Sequence, residues 1–466
     1  MMMTPSLLFA CSWLAGNGVN KTEDILEWIR DRNGSVSVAV HKTTLGSSGW
    51  LYNDATGYIE NGMRSFFQIT GFRSYSFETG TVQEQPVIIQ DEIGYLGILC
   101  KEIDGVLHFL MQAKIEPGNI NKIQISPTIQ ATKSNFLQMH GGAKPGYLEY
   151  FLDTKQHIII VDQIQSEQSS RFVKKRNRNI MLLVDKNMPI QETQSHKWMT
   201  LGQIKALMRI DNLVNMDTRS VLSCIPFYDY IDGVESVYSD SNDRALAASI
   251  ISGAQHGVLP RVYRHINDYK MFRMAKTEFV PLYSLKGWAM NHQGGRDEFS
   301  CKSGWPFKII FCDISIDGRE VRHWGQPLLE AEGMAWFGMF TCVASGIREF
   351  LVKAKPEIGC FDRIELGPAV QLESTEIGSP GTVVDELFFE KYGRREGVLY
   401  DAILSEEGGR FYHEQNHNVI IEIDKHMLPL LPEGYFWLTY QTVCRLIQIN
   451  NCVNIQLRNL IALLEL

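Results

Sequence analysis

The chain has 466 residues, 44% of them apolar, with 45 Lys and Arg against 53 Asp and Glu for a net charge of −8. That length and apolar share suffice for two ordinary cores, and the acidic balance excludes a nucleic-acid footprint over the whole surface. No apolar run is long enough to cross a bilayer, and nine cysteines without a CxxC read as reduced thiols of a cytoplasmic protein. The apolar start, MMMTPSLLFACSWLAG, has no basic residue before it, so a signal peptide is not expected.

Thr22 to about Arg30 predicts a short helix, with Thr22 as N-cap and Glu23 and Asp24 in its first turn. Strand-like text follows at 66–72, 86–90, 95–100 and 106–115, rich in β-branched and aromatic residues and broken by Gly, Asp and Glu. Residues 157–164 and 178–184 continue the set. Helical spacing returns at 200–209, with apolar residues at 201, 204, 207 and 208. Residues 229–275 read as a connector, loop-like over DGVESVYSDSND and helical over ALAASIISG. From about 276 the same order of elements begins again. The expected fold class is α+β (mixed α/β): tandem copies of one domain over 1–228 and 276–466, each a mixed sheet flanked by helices.

The duplication is legible residue by residue. VDQIQSEQSSRFVKKRNRN (161–179) is answered by YDAILSEEGGRFYHEQNHN (400–418), with Asp162/Asp401, Ser166/Ser405, Glu167/Glu406, Arg171/Arg410, Phe172/Phe411, Asn177/Asn416 and Asn179/Asn418 identical. The offset of 239 positions persists through Trp198/Trp437, Asn215/Asn454 and Arg219/Arg458. Upstream it slips by two, pairing Gln85-Pro86 with Gln326-Pro327 and Gln130 with Gln371. A small indel between two ungapped blocks marks whole-domain duplication, with a period too long for a solenoid.

The copies differ in their charged residues, and that difference points to where chemistry sits. Lys174-Lys175-Arg176-Asn177-Arg178-Asn179 is the densest basic segment. As a strand it puts Lys175, Asn177 and Asn179 on one face, a row suited to a diphosphate or sugar hydroxyls; it reads equally as a solvated edge. The second copy has Glu414 in place of Lys175, so the working site is expected mainly in the first. Gln130-Ala131-Thr132-Lys133-Ser134-Asn135 is either a helix cap and turn or a phosphate cradle. Its match, Gln371-Leu372-Glu373-Ser374, carries a carboxylate in place of Thr132 and suits phosphate less. Acids and bases in the first copy are Asp162, Glu116, Glu149, Glu167 and His140. Glu167 lies in a small polar turn and is kept as Glu406, while His140 precedes two glycines that let backbone approach a ligand. Trp50 and Trp288 each follow a glycine at similar places, as core aromatics or as plates for a base. His413-Glu414-Gln415-Asn416-His417 spells HExxH, but that zinc motif needs a helix and here it runs into the strand text NVIIEI, so no metal is expected.

HFLMQAKIEPGN (108–119), QISPTIQATKSNF (124–136), HGG (140–142), YLEYF (147–151), the 161–179 segment and TLGQIKALMRIDNLVNMDTRSVLSC (200–224) resemble the NDP-hexose 2,3-dehydratases of deoxysugar biosynthesis. The resemblance covers nearly the full chain. It implies a hydro-lyase that removes the C2 hydroxyl of an NDP-4-keto-6-deoxyglucose, usually dTDP-linked, to give a 3,4-diketo-2,6-dideoxy sugar. It also implies Nudix-like repeats, no cofactor, a homodimer, and a product passed to a 3-ketoreductase. The acidic Nudix signature is absent from both copies, which counts against the rival enzyme, a Mg²⁺-dependent diphosphate hydrolase. The non-enzymatic rival is a nucleotide-sugar binding protein. On this reading Glu167, His140 and Lys133 are the catalytic candidates. Trp50, Gln130, Thr132, Lys133, Ser134, Asn135, Ser166, Arg171, Lys175, Arg176, Asn177, Asn179 and Trp288, with Gln371, Glu373, Ser374 and Glu406 of the second copy, are the substrate-binding ones.

Overall fold

The computed structural model describes residues 5–466, apart from 63–65, 133–143, 230–237, 239–240, 318–320 and 380. Lys133, Ser134, Asn135 and His140 lie outside the described residues.

Each repeat forms a seven-stranded mixed sheet of the same topology. The first runs Ile158–Ser166, Arg176–Leu183, Gly94–Ile103, Val106–Ile115 and His196–Thr200, with short strands Ile123–Ser126 and Ile129–Ala131 at its margins. The second runs Val398–Ser405, Gln415–Glu422, Trp336–Ala344 and Ile347–Lys355, the last pairing with Tyr435–Thr439 and Glu365–Pro368; Val370–Leu372 pairs with Trp336–Ala344. One central pair in each sheet is parallel, Arg176–Leu183 on Gly94–Ile103 and Gln415–Glu422 on Trp336–Ala344. The strands Gly94–Ile103, Val106–Ile115, Ile158–Ser166 and Arg176–Leu183 are ones the sequence predicts, with ends displaced by a few residues; Ile123–Ser126, Ile129–Ala131 and His196–Thr200 are additional, and the predicted strands at 66–72 and 86–90 fall in a separate, smaller sheet. Val106–Ile115 buries residues on both pleat faces: Phe109 and Met111 enter the main core, and Leu110 a separate one.

Two smaller sheets lock the repeats together by exchanging strands. Val38–Thr43 of the first repeat pairs with Phe307–Ile316 of the second. In return Ala275–Val280 pairs with Gln68–Ser76 of the first. The repeats also meet through two helices, Met216–Ser223 and Ile455–Ala462, packed on each other with every residue buried.

Two helix expectations change. The helix predicted from Thr22 spans Thr22–Ser35 with Lys21, not Thr22, at its N-cap. The Thr22 hydroxyl is taken up elsewhere, donating to Gly16 O and accepting from Gln203 Nε2. ALAASIISG does form a helix, Arg244–Ile251, but a second one, Val258–Phe272, follows it unforeseen. Pro260 disguises it in the sequence, yet falls in the first turn, where an amide N–H has no intrahelical acceptor. These two helices precede the second repeat's strands as Pro5–Leu14 and Thr22–Ser35 precede the first's.

Candidate active site

The turns 167–175 and 406–414 join matched strand pairs, and each crosses to the opposite repeat. Gly359 N donates to Ser169 O at 2.9 Å and Lys174 N to Gly359 O at 2.8 Å. In the matched contact, Gly118 N donates to Gly408 O at 2.7 Å and His413 N to Gly118 O at 2.8 Å. Only glycine fits at 118 and 359, because a Cβ there would strike the carbonyl oxygen of Phe411 or Phe172. Each turn thus delivers its side chains to a polar cluster shared by both repeats.

The first cluster is held by amides. Asn177 Nδ2 donates to Glu167 Oε2 at 2.7 Å, Asn215 Nδ2 to Gln130 Oε1 at 3.1 Å, and Gln130 Nε2 to Glu116 Oε1 at 2.9 Å. The second repeat closes it: Gly408 N donates to Glu116 Oε2 at 3.1 Å, and the same turn brings in Glu407 and Arg410. The second cluster repeats the scaffold. Asn416 Nδ2 donates to Glu406 Oε1 at 2.7 Å, Asn454 Nδ2 to Gln371 Oε1 at 2.8 Å, and Gln371 Nε2 to Glu357 Oε1 at 3.0 Å.

Burial sets the acid–base properties of the first cluster. It lowers the Lys175 ammonium to about 8, against the pull of Glu167. It raises the half-buried Glu407 to about 8, with Glu116 adding repulsion. Glu167 is also raised by burial, with Lys175 and Arg458 opposing, and its Oε1 has no hydrogen-bond partner. Asp217, near Glu167, Glu407 and Glu116, is pushed well above the usual carboxylate range, again mainly by burial. A lysine and a carboxyl that both change charge near neutrality can exchange protons with a substrate without large energetic cost. Among the described residues, no three of His, Cys, Asp and Glu assemble as a metal-binding set.

The candidates from the sequence divide between the clusters. Glu167, Lys175, Asn177 and Gln130 belong to the first; Gln130 lies in a strand, not at a helix cap, and Thr132 follows that strand half-buried. Asn179 supports Asn177, donating to its carbonyl and accepting from Ser220. Ser166 donates to Glu365 Oε2 of the other repeat at 2.7 Å, a contact between repeats. Arg171 leaves its own copy and pairs with Glu373 in the second cluster, beside Glu406, Glu414 and Gln371. Arg176 likewise faces the second repeat, its guanidinium 4.0 Å from the Phe361 ring centre. Ser374 donates to Glu332 O.

Four expectations are corrected. Trp50 is buried, 4.8 Å from Phe67 ring to ring, with its indole N–H on Gly325 O; it is a core residue and not a pocket wall. Trp288 is stacked on Phe299 and flanked by Trp305 and Phe307 in the same core. Asp162 is held at an exposed edge by Arg178. Glu149 is exposed on a short helix. The HExxH residues lie on a turn and a strand, with His413 at φ 53° and His417 stacked on Trp336. Glu407 and Asp217 escaped sequence reading although a signal existed: their matches, Gln168 and Gln456, are neutral.

Tandem α+β repeats with an acid–base cluster at their junction define a duplicated enzyme-like fold, and the comparisons place it further. The family model for NDP-hexose 2,3-dehydratase matches residues 22–225 and again 260–464. The chain belongs to that family. A Saccharopolyspora spinosa protein named dTDP-4-dehydro-6-deoxy-alpha-D-glucopyranose 2,3-dehydratase is 36% identical over 468 residues, covering 99% of this chain and 93% of its own. Proteins of the same name from Streptomyces violaceoruber and Amycolatopsis orientalis are 34% and 33% identical, each over 95% of this chain and over 97% and 90% of their own length.

Proposed function

We propose that the chain removes water across C2 and C3 of dTDP-4-keto-6-deoxyglucose, giving a dTDP-3,4-diketo-2,6-dideoxyhexose, at the cluster centred on the first repeat. The names of its relatives support the substrate. The observation that carries the site is the meeting of Lys175, Glu167 and Glu407 around Asn177, with pKa values drawn together by burial.

The C4 ketone acidifies the C3 proton, which a carboxylate of Glu407 or Glu167 takes. The electron pair passes into the C4 enolate and returns as the C2–O bond breaks. The Lys175 ammonium gives its proton to the departing hydroxyl, which leaves as water. The resulting C2=C3 enol tautomerises by losing its hydroxyl proton and gaining one at C2. Amides of Asn177 and Gln130 orient sugar hydroxyls, while Arg410 offsets the diphosphate charge. Lys133 and His140, outside the described residues, are kept as candidates from the sequence for the same reaction.

The reading extends to surroundings. Phe77, Met271, Phe272 and Met274 are 56%, 76%, 63% and 64% exposed about Ala275–Val280, an edge strand, which supports a homodimer through that face. A reactive α-diketone product supports direct passage to a 3-ketoreductase. Free cysteines, and the lack of a membrane-crossing helix among the described residues, support a cytoplasmic setting. Mixed sheets flanked by helices support Nudix-like repeats.

The test is incubation with dTDP-4-keto-6-deoxyglucose, a trapping 3-ketoreductase and NADPH. A 2-deoxy sugar is expected; free dTMP would mark a hydrolase, and unchanged sugar a binding protein. Turnover is expected to survive chelation, and its loss with rescue by Mg²⁺ or Zn²⁺ would overturn a metal-free reaction.

A further inference from the structure

Asp217 belongs to the first cluster yet takes no part in its proton transfers. It is 1% exposed, and its Oδ1 has no hydrogen-bond partner. It lies in the first turn of Met216–Ser223, a helix tied to the cluster at two points. Asn215, the N-cap, donates to Gln130, and Ser220 donates to Asn179 Oδ1 at 2.9 Å. Residues three apart on a helix share a face, so Asp217 looks the same way as Ser220, toward the strand on which Asn177 holds Glu167. Glu167 also keeps one bare oxygen, Oε1.

The surroundings of Asp217 do not suit an ion. Glu167 and Glu407 face it from the two turns, and Glu116 from just beyond Val106–Ile115. The cations near it donate to carbonyls: Lys114 to Gln130 O, Arg219 to Val214 O and Ser405 O, and Arg458 to Val453 O and Ser166 O. Burial, and then the neighbouring carboxylates, favour the protonated form. At the matched position the second repeat has Gln456, whose amide donates without carrying charge.

We propose that Asp217 is a positioning residue of the dehydration: as a neutral acid it donates to Glu167 Oε1, fixing the carboxylate that Asn177 holds from its other oxygen. The inference rests on the reading that the first cluster performs that reaction. A carboxyl group donates only while protonated, and an apolar, acid-lined site keeps it so. Four carboxyls thereby share one cluster without carrying four charges.

The test compares Asp217→Asn, a neutral donor of the same size, with Asp217→Leu, which has no donor. Asp217→Asn is expected to keep kcat within a few-fold and both limbs of the pH profile in place. Asp217→Leu should lower kcat by about tenfold or more, the loss of one hydrogen bond to a charged group. Its KM should barely move, because this side chain does not touch the sugar. An acid limb moved to lower pH in Asp217→Asn would mean that Asp217 carries charge, and full activity in Asp217→Leu that no donor is needed; either overturns the proposal. Infrared difference spectra, wild type minus Asp217→Asn, serve if the leucine variant folds poorly. A carboxylic-acid C=O band is expected at pH 8, and its absence overturns the proposal whatever the turnover. If that band is present but the wild type forms no 2-deoxy sugar, the reading of the first cluster falls and the positioning role falls with it.

Discussion

Around Asn177 and around Asn416 the chain builds the same amide scaffold and fills it with opposite chemistry. Both asparagines donate at 2.7 Å to a buried glutamate, and both Gln130 and Gln371 bridge an asparagine to a second glutamate. Yet Lys175 faces Glu414 across the repeats' symmetry, Asp217 faces Gln456, Glu407 faces Gln168, and Thr132 faces Glu373. What the copies share satisfies buried polar groups, which any version of the fold must do. What they do not share is these four positions, each of which carries a charge in one copy and not, or not of the same sign, in the other. Identity between the halves therefore marks mainly architecture, and divergence points to the groups that set the chemistry apart.

The comparison breaks most visibly through activity. Glu407→Gln and Lys175→Met are expected to lower kcat by about 10²–10⁴-fold, the usual contribution of a positioned acid or base. Gln168→Glu and Glu414→Gln, the matched changes in the other cluster, should leave it within a few-fold. Steady-state dehydration by variants with normal melts decides; the reverse pattern would put the reaction in the second cluster. The pH profile sharpens the same point. The rate should fall below pH 8 as Glu407 takes up its proton, and fall above pH 8 as Lys175 loses its own. A narrow bell in kcat/KM near pH 8 is expected, and a plateau from pH 6 to 9 would exclude this pair.

The shared scaffold should respond equally on both sides. Arg219 is fully buried, donating to Val214 O and across the junction to Ser405 O; Arg458 does the same to Val453 O and Ser166 O. Charged hydrogen bonds contribute about 1.5–3 kcal/mol each. Arg219→Met and Arg458→Met should therefore both lower stability by similar amounts in chemical denaturation. A large loss from one alone would show that the halves are not structurally equivalent.

Much of this was legible in the sequence, for physical reasons that differ by element. Strands announce themselves because β-branched and aromatic runs must cover a pleated face, and Val106–Ile115 matches its expected bounds. The alternation placing Asn177 and Asn179 on one face follows from strand geometry alone, with Arg178 pointing out to Asp162; Lys175 lies in the turn just before that strand. The strand exchange was invisible, because Val38–Thr43 reads the same whichever sheet it joins. For the same reason the pairing of Arg171 with Glu373 was hidden: a turn's sequence does not say which repeat its side chains will meet. Trp50 and Trp288 misled because a glycine–tryptophan pair looks alike in a core and at a ligand.

The smallest effect tests a single difference inside the scaffold. Ser166 donates to Glu365 at 2.7 Å, while the matched contact is Gln124 donating to Ser405 at 2.6 Å. Burial raises Glu365 from an ordinary 4.5 to about 7. A carboxyl raised in this way imposes no penalty while protonated in both states. The penalty on folding grows as pH rises between those two values, and is constant above them. Glu365→Gln gives the second repeat what the first already has, and its amide oxygen can still accept from Ser166. At 1.36 kcal/mol per pKa unit the relief at pH 8 is at most about 3 kcal/mol, a rise of a few degrees in Tm. At pH 5 the two proteins should melt almost together. A lower Tm at pH 8 would mean that Glu365 is kept ionised beside Arg458, and that this junction needs a charge which its counterpart at Gln124 does without.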